Sequence, residues 1–119
     1  MIGKSLLAYH RGVDDAAEHE RDTAGEADVF KALADPTRRK ILDELAERDG
    51  QTLFEICSRL AMKHRLGSSR QAISQHLEVL TGAGLVTSRR EGRYKFHHID
   101  TRPLERLTDR WRNRETKET

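Results

Sequence analysis

Between Ser68 and Ile99 (SSRQAISQHLEVLTGAGLVTSRREGRYKFHHI) the apolar residues change period, and that change constrains the fold more than any other stretch of the chain. Upstream, Ser69 is a good N-cap, and Ile73, Leu77 and Leu80 recur at helical spacing with Gln71, Ser74, Gln75 and Glu78 on the opposite face. Gly82 and Gly84 can end this helix. Downstream, Leu85 to Arg90 and Arg93 to Ile99 read as two strands joined by Glu91 and Gly92, with Gly92 free to take positive φ. In a hairpin of that register Arg90 faces Arg93, a destabilising pair unless an anion lies beside it.

The formal net charge of the 119 residues is +2, too small for a global basic field to explain an anionic partner. Its distribution is more informative. From Lys63 to Lys95 the basic residues are Lys63, Arg65, Arg70, Arg89, Arg90, Arg93 and Lys95 against Glu78 and Glu91, so one end is strongly positive and the remainder slightly negative. Such a footprint orients a polyanion and predicts salt-sensitive binding through counterion release. Gln71, Ser74 and Gln75 supply amide and hydroxyl groups able to pair with base edges in a major groove wide enough for one helix. Arg70, Arg89, Arg90, Arg93 and Lys95 are positioned for the DNA backbone. Taken alone, the polar stripe is equally an ordinary solvated face, and the hairpin an edge kept soluble by its cations. A membrane surface fits poorly, because no bulky apolar face lies opposite the charges.

The rest of the chain supplies a scaffold. Residues 1–25 read as a mobile or weakly helical extension, rich in Asp, Glu, His and Ala. The domain proper spans 26–113, followed by a tail at 114–119. Val29, Phe30 and Leu33 mark a short first helix; Asp35 caps and Pro36 opens a second, with Ile41, Leu42 and Leu45 inward and Asp49-Gly50 ending it. Arg38, Arg39 and Lys40 read there as solvated charges, one of them within reach of a DNA backbone. Thr52 and Glu55 form a capping box for a third helix with Leu53, Ile56 and Leu60 inward. The nine residues AMKHRLGSS then lead from it to the cap at Ser69, a long link for two helices of this kind. Pro103 begins a last helix with Leu104, Leu107 and Trp111 on one stripe. That stripe and the Val29/Phe30/Leu33 face are material for a symmetric dimer contact.

With these elements assigned, FKALADPTRRKILDEL, SSRQAISQHLEVLTGAGLV and SRREGRYKFHHI together resemble the ArsR/SmtB-type family of winged helix-turn-helix transcriptional repressors, over about Val29 to Trp111. The resemblance implies a mainly α fold with a small antiparallel β-hairpin, a homodimer through the first and last helices, and a palindromic operator on double-stranded DNA. It adds Ser69 and His76 to the backbone contacts and matches Arg90, Gly92 and Arg93 to the wing. Many members sense metals through paired cysteines before the recognition helix. Here Thr52, Leu53 and Phe54 stand in that stretch and Cys57 is the single cysteine, so the likeness is to a branch without that motif, and no metal, cofactor or small-molecule effector is indicated. His97 and His98 are strand neighbours whose side chains point to opposite faces.

Two other readings use the same residues: a winged-helix protein-interaction module whose wing docks an acidic surface, and a redox- or metal-responsive repressor using Cys57. An enzyme is the poorest fit, since no nucleophile, base and orienting group appear together. One cysteine, no apolar run near spanning length and no signal-peptide core read as a cytoplasmic protein.

Overall fold

A computed structural model describes residues 25–118, with side chains as far as Arg112. Helix α1 covers 25–33, α2 Pro36–Glu47, α3 Leu53–His64 and α4 Arg70–Gly82; strands β1 (Val86–Glu91) and β2 (Tyr94–Ile99) form an antiparallel hairpin, and α5 is Arg102–Glu118. The order is that of a winged helix-turn-helix. Apart from Gly25, the N-terminal extension lies outside the described residues, and α5 continues through the stretch assigned to the tail as far as Glu118.

The corner between α1 and α2 is made by four residues, Asp35, Pro36, Arg38 and Arg39. The Asp35 carboxylate accepts from the amides of Thr37 (2.7 Å) and Arg38 (3.2 Å), while Pro36, which has no amide hydrogen to lose, begins the helix. Arg38 and Arg39 do more than solvate the helix. Arg38 donates to the carbonyls of Ala32 (2.9 Å) and Lys31 (3.1 Å), and Arg39 to that of Leu33 (2.7 Å). The last carbonyls of a helix lack intrahelical donors and carry the negative end of its dipole, so these guanidinium groups cap α1 and use their charge doing so.

The capping box of α3 forms in both directions, Thr52 N to Glu55 Oε1 at 2.9 Å and Glu55 N to Thr52 Oγ1 at 3.2 Å. This helix runs one turn further than its sequence suggests. Ala61 to His64 are helical, Arg65 turns the chain in the left-handed region (φ 51°), and the link to α4 shortens to residues 65–69. Tertiary pairing holds that extra turn. Lys63 bonds Glu47, and His64 Nε2 lies 3.2 Å from Glu44 Oε2, both carboxylates on α2. Neither side chain is a free loop charge.

The inward faces meet in one core. Ile41, Leu45, Ile56, Leu60, Ile73, Leu80, Leu85 and Val86 are almost fully buried, with Leu77 close behind. Burial on this scale stabilises by roughly 1.5–3 kcal/mol per large side chain. Val29 and Leu107 belong to the same core, which corrects their assignment to a dimer contact; Leu33 and Leu104 are partly buried against it. Phe30 (53% exposed) and Trp111 (49%) do keep an open face.

The hairpin register differs from the sequence reading by two residues. Glu91 pairs with Tyr94 and Arg90 with Lys95, so the turn is Gly92-Arg93, with positive φ (64°) at its first position alone, as type II′ turns require. Arg90 therefore opposes Lys95 and not Arg93; the like-charge repulsion survives with a different partner. Gln51 joins the other edge of β2. Its backbone exchanges bonds with His97 (2.8 and 3.1 Å), and its buried side chain donates to the carbonyls of Arg48 (2.7 Å) and Glu44 (3.1 Å) at the end of α2. One glutamine thus fastens the wing to the helical core.

Candidate nucleic-acid interface

Helix α4 is capped by Ser69, whose hydroxyl accepts from the Ala72 amide at 3.1 Å. Since Ile73, Leu77 and Leu80 point into the core, the opposite side is displayed: Arg70, Gln71, Gln75 and Glu78 are exposed and Ser74 is half-buried. The stripe divides. Gln71 and Gln75 face outward, while Ser74 and Glu78 turn toward the hairpin. His76 lies on another side, half-buried, with Nδ1 3.2 Å from Arg38 Nη1, so it links α4 to the α1–α2 corner.

Beside α4, Arg89, Arg90, Arg93 and Lys95 are all exposed on the wing. Among the described residues none of these four, nor Arg70, forms an ion pair. Several cations elsewhere do pair. Arg59 pairs with Glu44 (2.6 Å) and Glu47 (2.5 Å), Arg102 with Asp100 (2.6 Å), Arg110 with Glu26 and Arg112 with Asp109. Arg70 and the four wing cations share one side of the molecule and have no ionic partner among the described residues, so a polyanion can meet them without first breaking protein ion pairs.

Between α4 and the hairpin runs a cleft of about 750 Å³, closed at one end by the start of α3. Arg70, Ser74 and Glu78 line one wall, Arg93, Tyr94 and Lys95 the other, and Phe54 the closed end. Phe54 and Tyr94 escaped the sequence reading as site residues. Their signal was present: Phe54 stands off the Ile56/Leu60 face of α3, and Tyr94 flanks the turn.

Cys57 is half-buried, and burial pushes its thiol up while Arg70 works the other way. Its reactive thiolate is correspondingly scarce, which argues against the redox reading. His97 is buried with Nδ1 3.0 Å from the Gln51 carbonyl, and His98 Nδ1 lies 3.1 Å from Asp49 Oδ2. Among the described residues no three His, Cys, Asp or Glu side chains gather as metal ligands, and no helix is long and apolar enough to cross a membrane.

A helix-turn-helix domain family matches residues 33–89, which ends inside the first strand of the wing. The HTH-type transcriptional regulator YuzN of Bacillus subtilis is 52% identical over 83 residues, covering 70% of this chain and 90% of that protein. An ArsR-like transcriptional regulator from Rhodococcus sp. RHA1 superposes with a TM-score of 0.57 at 36% identity, over 80% of this chain and 90% of that one. The chain belongs to the ArsR/SmtB-type family of winged helix-turn-helix transcriptional regulators. The homodimeric winged helix-turn-helix DNA-binding domain of Mb0332 from Mycobacterium bovis, described as a possible ArsR-family regulator, superposes with a TM-score of 0.58 at 26% identity over all of this chain and 96% of that one. Within this ArsR-type regulator, α3 and α4 are the helix-turn-helix, α4 is the recognition helix and the hairpin is the wing.

Proposed function

We propose that this regulator binds double-stranded DNA as a homodimer, without catalysis and in the cytoplasm, and represses by occupying a twofold operator. The observation that carries the reading is the exposed stripe of Gln71, Ser74 and Gln75 on α4, with the unpaired Arg70 and the unpaired cations of the wing beside it. Gln71, Ser74 and Gln75 read base edges; Ser69, Arg70, Arg89, Arg90, Arg93 and Lys95 hold the backbone. His76 contributes by fixing the recognition helix through Arg38. Dimerisation uses the exposed rings of Phe30 and Trp111, with Leu33 and Leu104 beside them, in keeping with the homodimeric state of Mb0332. Half-sites are expected about 34–36 Å apart, one turn of duplex.

Selection from random duplexes tests this directly: a palindromic consensus is expected, and recovery of no consensus refutes sequence-specific repression. Gln75→Ala should cost about 1–3 kcal/mol at the selected site while binding to random duplex stays unchanged. Equal weakening on both would assign Gln75 to the backbone. Sedimentation should give the mass of two chains, with Phe30→Ala plus Trp111→Ala raising the dissociation constant about tenfold or more; a monomeric wild type would contradict the dimer.

A further inference from the structure

The cleft between α4 and the wing contains groups that base reading and phosphate contact do not use. Phe54 is 65% exposed and Tyr94 is 61% exposed, and both line it. Leaving an aromatic ring in water forgoes the transfer energy its burial would give. Two such rings on one cleft, beside the unpaired Arg70, Arg93 and Lys95, give the combination of cations and apolar plates that nucleic-acid strands meet in protein grooves. Leu77 and His97, both buried, form its floor.

We propose that this cleft seats one sugar-phosphate strand of the duplex, with Phe54 and Tyr94 packing against deoxyribose while Arg70, Arg93 and Lys95 hold the flanking phosphates. The proposal rests on the DNA-binding reading above and adds a share of affinity that is not electrostatic. Its geometry follows from the docking. A recognition helix in the major groove places the wing beyond the adjoining backbone, so the strand between them passes along the space that separates α4 from the hairpin. Glu78, the carboxylate in the lining, forms no ion pair among the described residues and faces the same space. It disfavours a strand seated too deep and leaves the correctly placed phosphates to the three cations.

The test is a set of anisotropy titrations of the dimer with a labelled random-sequence duplex and with the duplex enriched by selection, at several salt concentrations. Phe54→Ala and Tyr94→Ala should each lower affinity about five- to tenfold on both duplexes. The salt slope should stay that of the wild type, because no charge is removed. Phe54→Leu and Tyr94→Phe should restore most of the loss; the melt should be unchanged in Phe54→Ala and in Tyr94→Phe, which keeps the ring that lies 6.2 Å from Phe96. Wild-type affinity in both alanine variants overturns the strand seat while leaving the DNA-binding reading intact. A wild-type protein that ignores every duplex overturns that reading instead. If anilinonaphthalene sulfonate binds in a Phe54-dependent way and DNA affinity does not depend on Phe54, the cleft is a small-anion site and the strand seat is wrong.

Discussion

Replacing Arg89, Arg90, Arg93 and Lys95 together by Gln should lower duplex affinity on the order of a hundredfold or more near physiological salt, on selected and random sequences alike. Each phosphate contact contributes about 0.9 to the slope of log affinity against log salt, so a dimer losing eight wing cations should show a slope shallower by up to about 7. The folded state should not suffer. Arg90 opposes Lys95 across the hairpin and none of the four has an ionic partner among the described residues. Neutralisation relieves a cross-strand repulsion, and the variant should melt at or slightly above the wild-type temperature. That opposition of effects is the useful readout: a wing retained for solubility alone would leave the salt slope where it was. Titration of both duplexes over a salt series, with a melt of each protein, measures it.

How much of this was legible in the sequence depends on the range of the interaction that decides each feature. Local rules served well at Asp35-Pro36, Thr52/Glu55 and Ser69, because a cap is settled by a side chain and amides two or three residues away. Helical period likewise located Ile41, Leu45, Ile56, Leu60, Ile73, Leu77 and Leu80 in the core. The misses are long-range. Nothing near Ala61 announces that α3 continues to His64, since the carboxylates that hold the extra turn are on α2. Nothing near Arg38 and Arg39 says that their targets are carbonyls of the preceding helix. The hairpin register moved because Glu91-Gly92 and Gly92-Arg93 are both acceptable turns locally, and the pairing at the far end, Val86 with Ile99 and Asp100 N to the Leu85 carbonyl at 2.8 Å, goes with the second.

The candidate site divides along the same line. Gln71, Ser74 and Gln75 were visible as a stripe because α4 is regular, and the wing cations were visible as a charge run. That those cations are unpaired was not visible, because it depends on which carboxylates the packed fold brings within reach of them. Val29 and Leu107 illustrate the converse: a stripe shows that a face will be covered, and only the packed fold shows that the monomer covers part of it.

Glu44 is the position where a single substitution should cost the fold most for reasons other than volume. It is buried on α2 at 3% exposure, yet it accepts from Arg59 Nε at 2.6 Å and faces His64 Nε2 at 3.2 Å and Lys63 Nζ at 3.5 Å. Burial alone would raise its carboxyl pKa; the bonds from Arg59 and His64 and the charge of Lys63 outweigh that and hold it below the ordinary carboxylate range. Glu44→Ala removes the anion and leaves three basic groups converging on a vacated site between α2 and α3, the two helices that support α4. Losing one partner of a buried pair costs about 3–5 kcal/mol, and because Arg59 and Lys63 retain access to water the lower end, about 3 kcal/mol, is expected. The sign with pH follows from the lowered value. Glu44 contributes its stability fully above the unfolded-state pKa, and that contribution is lost as pH falls through the lower folded-state pKa. The gap between wild type and Glu44→Gln in urea midpoints should therefore be full at neutral pH and narrow only below about pH 4. A gap that closed well above about pH 4 would contradict a Glu44 carboxyl held below the ordinary carboxylate range. Since α4 rests on the α2–α3 pair, the same variant at neutral pH should lose duplex affinity in proportion to its unfolded fraction, with the salt slope of its folded fraction unchanged.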